Sequence, residues 1–344
     1  MEPTIRTRMG DGALVEMTPS QIRADLEAGT QAGAKRSKSP ELTADELAHL
    51  ADIFCSNSRF TGVDIGDEVV LSFDGCGSQD LGTRINDLQY YEQYLCADSL
   101  ELYHHDYSYK PAKGVTAFEQ VMMRQAQFVT TAPLGYGAMP DLGLYTVPDG
   151  PVPNWSQLLP LGRIDEARAA QEQAVELAVD DIAFVAGELI EAGAEFVDLD
   201  TAGAAGDADF LATLKAVERI RAAHPDVGIQ IGMAGEFVLG MHGELQYDGV
   251  RLAGLWPREQ MKVAAKAGVT IFGPAINVTT GKSIAWNVAR TLTIAKPCCS
   301  EATVPVHLNG GMGVGGVPMH VAPAGDATCR ASRAAVDILR LDGL

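Results

Sequence analysis

The sequence predicts an α/β protein: a (β/α)8 barrel of the TIM type, incomplete at its C-terminus and preceded by an N-terminal elaboration of helices and a hairpin. Three observations predict it. Apolar, strand-like runs recur, and the last four begin at Phe196, Ile229, Thr270 and Val304, which are 33, 41 and 34 residues apart. Helical segments with start and stop residues lie between them, the pattern of parallel strands joined by helical crossovers. Finally, the strands end in polar residues one after another (Asp200-Thr201, Gly235-Glu236, Asn277, Asn309), as they would around one ring-shaped mouth. A doubly wound open sheet is the competing architecture, and the serial polar strand ends favour the barrel.

Residues 1–99 form the elaboration, packed on a barrel of residues 100–344. Thr18-Pro19-Ser20 opens a short helix ending near Gly29, and a basic, flexible stretch with Lys35, Arg36 and Lys38 follows. Thr43-Ala44-Asp45-Glu46 is a capping box for a second helix. Asp64 to Phe73 alternates in strand fashion around Gly66-Asp67, a hairpin signal. The Gly-rich stretch Cys76 to Thr83 reads as a loop.

The barrel strands are read at Leu100–Tyr103, Phe128–Ala132, Phe196–Leu199, Ile229–Met233, Thr270–Phe272 and Val304–Leu308. Asp165 to Ala192 sets Val175, Ala178, Ile182, Val185 and Leu189 on one helical face and stops at Gly193. Asp207 caps a helix running to Ala223. Pro257 starts one that ends at Gly268, and Ser283 opens one that Pro297 closes. Ala327 to Arg340 is helical, and Leu341 to Leu344 reads as a turn entering a strand. The next strand is therefore due at the end of the chain, leaving the barrel two strands short.

Composition narrows the function. Of 344 residues, 47% are hydrophobic and 21% charged, values of a folded protein. A net charge of −19 argues against nucleic acid or an anionic membrane as partner, because both would be repelled. Arg6 and Arg8 interrupt the N-terminus where a signal peptide would need an apolar run, and no stretch is long enough to span a membrane. Cys55, Cys76, Cys96, Cys298, Cys299 and Cys329 contain no CxxC pair. The expectation is a cytoplasmic enzyme with reduced thiols.

Chemistry is expected at the C-terminal strand ends. Those positions hold His104-His105-Asp106, Tyr136, Asp200, Glu236, His242, Glu244, Asn277, His307 and Asn309. Glu236 follows Gly232-Met-Ala-Gly235, whose small residues let a ligand approach the backbone. Its carboxylate suits a general acid/base or a counter-ion for a cationic substrate, with an N-cap or loop ion pair as the bland alternative. His242 and Glu244 form an H-x-E pair, but the Pro-Cys-x-x-Cys of zinc deaminases is missing, so no metal is expected. Adjacent His104 and His105 point to opposite strand faces. Gly311-Met-Gly-Val-Gly-Gly316 matches G-x-G-x-x-G, yet Pro318 and Pro323 keep it from opening directly into a helix. No standard side chain stands out as a nucleophile.

The segment Gly232-Met-Ala-Gly-Glu236-Phe-Val-Leu-Gly-Met-His242-Gly-Glu244 through Leu255-Trp256-Pro257 resembles the dimethylamine methyltransferases of methylamine-using methanogens and some anaerobic bacteria. Tyr136-Gly-Ala-Met-Pro-Asp-Leu-Gly-Leu-Tyr145, Asp200-Thr-Ala-Gly-Ala-Ala-Gly-Asp207 and Met312-Gly-Val-Gly-Gly-Val-Pro-Met319 are similar as well, as is Arg8-Met-Gly-Asp-Gly12. The resemblance covers almost the whole chain and is poorest from about Cys55 to Ser99.

The resemblance implies transfer of a methyl group from dimethylamine to the Co(I) corrinoid of a cognate corrinoid protein, with release of monomethylamine. It implies that pyrrolysine, encoded by an in-frame amber codon, follows Leu344, so that the chain stops one residue before its reactive group. No cofactor binds directly, because the corrinoid rides on the partner, and the full-length enzyme is a homo-oligomer. Glu236 would protonate the pyrrolysine imine or steady the cationic nitrogen, with Asp200, Tyr136, His242, Glu244 and Asn309 lining the substrate pocket. The alternative is an amber-truncated, inactive product that at most binds the corrinoid partner.

Overall fold

The structure is a computed structural model that describes residues 2–58, 61, 134–138, 142–308 and 325–343. Several expectations fall outside the described residues: the Asp64–Phe73 hairpin, the Cys76–Thr83 loop, the strands at Leu100–Tyr103 and Phe128–Ala132, the His104-His105-Asp106 cluster, Asn309, and the Gly311–Gly316 run. The chain divides into two compact units. Among the described residues, one takes in 2–58 and everything from Pro274 onward, and the other lies between Leu134 and Gly273.

The first unit opens with an antiparallel pair, β1 (Ile5–Arg8) and β2 (Leu14–Met17), in register from Ile5↔Met17 to Arg8↔Leu14. Helix α1 follows as Pro19–Ser37 and does not stop near Gly29. Gly29 and Gly33 lie one helical turn apart on the face packed against a later helix, Ile284–Ser300. A Cβ on Gly29 would stand 2.3 Å from the Trp286 carbonyl oxygen, and one on Gly33 would stand 2.9 Å from that of Arg290. The glycines thus mark a close backbone approach rather than a stop. Lys35 and Arg36 fall in the last turn, where cations favour the helix dipole, so the stretch read as flexible is helical as far as Ser37, with Lys38 its left-handed cap. Helix α2 (Ala44–Phe54) has the expected capping box, with Thr43 Oγ1 accepting from Glu46 N and Glu46 Oε2 accepting from Thr43 N at 2.8 Å.

Pro297 lies inside the Ile284–Ser300 helix and does not close it. Its missing N–H leaves the Thr293 carbonyl without its helical donor. The Ser39 hydroxyl donates to that oxygen at 3.2 Å, so a tertiary contact repairs what local chemistry would break. The C-terminal helix, Gly325–Leu339, forms where expected. After it, Gly343 bridges His307 in parallel, with Gly343 N donating to Val306 O (3.2 Å) and Leu308 N to Gly343 O (3.1 Å). Leu341–Gly343 thus begins strand pairing with the Val304–Leu308 run.

The second unit is α/β. Its sheet contains β3 (Leu134–Ala138), β4 (Phe196–Ala202) and β5 (Gly228–Met233), then, after a small hairpin of β6 (Gln246–Tyr247) and β7 (Val250–Arg251), β8 (Ile271–Gly273). The order is β3-β4-β5-β8, all parallel. Strand β3 replaces an expected polar strand end: Gly135 and Gly137 argue against a strand on propensity, but register with β4 from Leu134↔Phe196 to Ala138↔Asp200 imposes one. The crossovers are α3 (Ile164–Glu191), α4 (Asp207–Ala223) and α5 (Pro257–Ala267). Their C-terminal ends match the sequence reading, with positive-φ glycines at Gly193 and Gly268. In chain order, the first-unit helices Ile284–Ser300 and Gly325–Leu339 become α6 and α7. Val197, Leu199, Ile229 and Ile231 are fully buried, whereas Asp198 and Gln230 pair in register on the opposite face. The sheet therefore has an apolar face and a polar one.

Candidate active site

The polar face ends where the β4–α4 and β5–α5 loops begin, and this is where the two leading candidate residues are placed. Asp200 is the last β4 residue in register with β3, opposite Ala138. Its carboxylate lies across β5: a Cβ built on Gly232 would stand 2.4 Å from Asp200 Oδ1. Gly232 is small because the neighbouring strand's carboxylate occupies its side-chain space. Glu236 stands three residues beyond the end of β5 and is only 3% exposed. A carboxylate so enclosed acts with little competition from water. It is followed by Phe237, whose ring meets that of Trp256 at 5.5 Å between centroids.

His242 and Glu244 lie further along the β5–α5 loop, and both turn to α3. His242 Nε2 is 2.8 Å from Glu172 Oε1, and its carbonyl accepts from Arg168 Nε at 3.2 Å. Glu244 pairs with Arg168 at 2.9 Å and remains largely exposed. A recess of about 290 Å³ lies here, lined by residues that include Ile164, Arg168, Met241, His242 and Arg251, and by neither Asp200 nor Glu236. The guanidinium of Arg168 is engaged by Glu244, and that of Arg251 donates to Gly243 O at 2.7 Å. The recess therefore offers a ligand little unengaged charge. Tyr136 lies within β3, opposite Asp198, rather than after a strand. In the first unit, Asn277 is exposed and its carbonyl accepts from Arg290 Nη1 at 2.8 Å. Among the described residues, no group of three or more His, Cys, Asp or Glu could hold a metal ion.

Sequence reasoning missed Asp207. It reads as an N-cap, but the cap position belongs to Gly206 at φ +112, and Asp207 is the first residue of α4. Completely buried, its carboxylate accepts from the backbone of the neighbouring loop: from His242 N at 2.9 Å through Oδ1, and from Gly243 N at 2.7 Å through Oδ2. No local signal distinguishes this from capping, because the partners lie 35 and 36 residues away. Elsewhere on α4, Glu218 accepts from the Tyr247 hydroxyl at 2.5 Å, and burial together with that bond raises the phenol above its ordinary value.

The family model for dimethylamine methyltransferase matches residues 4–344. No solved structure matches the chain. Among the described residues, no helix is long and apolar enough to cross a membrane.

Proposed function

Because the chain belongs to the dimethylamine methyltransferase family, we propose that its polar sheet face hands a methyl group from dimethylamine to the Co(I) corrinoid of a partner protein, releasing monomethylamine. The family match over nearly the whole chain carries this reading. The strand-end carboxylates support it. An amine is a poor methyl donor unless its nitrogen is held as a cation, and Asp200 with Glu236 supplies negative charge for that nitrogen. Glu236, the more enclosed, holds or delivers the proton on the reacting side. Asp200 orients the amine from the end of β4.

Pyrrolysine directly after Leu344 belongs to the same proposal, as does closure of the sheet into a barrel. The imine of pyrrolysine would supply the electrophile that the standard side chains lack. The strand order β3-β4-β5-β8 supports the barrel, since it advances around the sheet without the reversal of a doubly wound fold. The His307↔Gly343 bridge supports a strand at this point of the chain.

Two measurements test the proposal. An amber codon after Leu344 followed by an open frame is the expected gene sequence; an ochre or opal codon with no continuing frame would remove the pyrrolysine part. The protein made from its native gene should form monomethylamine from dimethylamine when given a Co(I) corrinoid protein. Failure to do so with an active corrinoid partner would sink the reading.

A further inference from the structure

We propose that residues 239–243 are held in a two-sided clamp, with Asp207 as its inner jaw and Glu172 with Arg168 as its outer jaw, and that this clamp positions Glu236. The inference rests on Glu236 acting in the proposed methyl transfer. Asp207 makes three backbone bonds to the loop: its N–H donates to Leu239 O at 2.8 Å, and its carboxylate receives the N–H groups of His242 and Gly243. The residue before it is fitted to the same contact. A Cβ at Gly206 would stand 2.8 Å from Leu239 O, and its φ lies where glycine is favoured.

From the other side, His242 is buried against α3. Its Nε2 faces Glu172 Oε1 at 2.8 Å, and a carboxylate oxygen accepts, so Nε2 is the donor. Arg168 grips the carbonyl of the same residue. Residue 242 is therefore held through its N–H, its carbonyl and its ring. Asp207 follows the turn after β4, which ends two residues past Asp200, and the clamped segment begins three residues past Glu236. Joining the two loops fixes the relation between the two carboxylates. A buried carboxylate accepting backbone N–H groups is charge-assisted and stiff, which suits positioning to fractions of an ångström. Asp207 is a positioning residue, separated from the amine by the loop it holds.

The test is a double-mutant cycle with an exchange readout. Asp207→Asn sets an amide N–H against one of the two donors, and Glu172→Gln is a milder variant at an exposed residue. Both should speed hydrogen exchange at the amides of His242 and Gly243, by roughly tenfold for Asp207→Asn. Asp207→Asn should lower kcat for dimethylamine about tenfold with KM within about twofold, and should cost less than about twofold further in a Glu236→Gln background. Glu172→Gln should move in the same direction by less, and it remains informative if Asp207→Asn fails to fold. An equal loss in both backgrounds, or unchanged exchange in either variant, would overturn the clamp. Exchange needs no amine, so absence of dimethylamine turnover in the unaltered protein would count against the functional reading and leave the clamp itself measurable.

Discussion

The carboxylate of Asp200 occupies the space that a side chain on Gly232 would fill, 2.4 Å from where a Cβ would stand. The two residues sit on neighbouring parallel strands, and the glycine is the condition for the acid's position. Gly232→Ala should therefore push the carboxylate aside. Its neighbour is the end of a short side chain, so the protein should still fold, with a loss of about 1–3 kcal/mol from overpacking. KM for dimethylamine should rise at least about tenfold if Asp200 orients the amine, since a misplacement of about 1 Å is costly. Unchanged KM with a shifted Asp200 would remove Asp200 from the binding role.

Glu236→Gln keeps the shape and loses the charge and the transferable proton. A positioned acid or base contributes about 10²–10⁴ in rate, so methyl transfer should fall within that range while thermal stability changes little. Full methyl transfer by the variant would exclude the leading role given to Glu236.

Gly29→Ala tests the contact between α1 and α6. Its Cβ would lie 2.3 Å from the Trp286 carbonyl oxygen, a backbone atom that yields only by separating the helices. In an exposed helix the same change would stabilise by up to about 1 kcal/mol. Here a loss of about 1–3 kcal/mol is expected from overpacking, read as a lower denaturant midpoint. A gain would mean that the two helices do not meet at Gly29.

Ser39→Ala removes the donor to the Thr293 carbonyl beside Pro297. Leaving an acceptor unsatisfied costs about 1–3 kcal/mol when buried, and the lower end is expected at this part-buried site. Ser39→Ala in a Pro297→Ala background should cost less, because the helix then supplies its own donor. Equal costs in the two backgrounds would break the proposed link.

Glu46 supplies a pH-dependent contribution. Burial raises its carboxyl pKa, but hydrogen bonds from Lys296 and Thr43 outweigh this and hold it below the ordinary 4.5. A carboxyl depressed in the folded state stabilises fully above the unfolded value and loses that stabilisation as pH falls through the folded one. Below pH 4.5 the thermal midpoint of the unaltered protein should thus fall more steeply than that of Glu46→Gln. At neutral pH the variant should be less stable by up to about 1 kcal/mol, the range of a partly exposed ion pair, because glutamine keeps the cap. Parallel pH curves would show that the Lys296 contact contributes nothing.

What the sequence determined by itself is what local chemistry encodes. Thr43, Pro257, Gly193 and Gly268 mark helix ends because caps, ring geometry and positive φ act within a few residues. The alternation of apolar strands with helices gives a parallel α/β sheet because period and length are local too. Glu236, three residues past an apolar strand, was legible as a strand-end acid for the same reason. Tertiary structure decided what depends on residues far apart in the chain. Gly29 and Gly33 looked like a helix stop and are a packing surface; Pro297 looked like a terminator and is rescued by Ser39. Gly135 and Gly137 have little strand preference of their own, and pairing with β4 makes them part of one. Asp207 looked like a cap and instead grips a loop 35 residues away. In each case the deciding energy is a close contact or a hydrogen bond between distant segments, set against a local preference of about 1 kcal/mol for the glycines and about 3 kcal/mol for the proline.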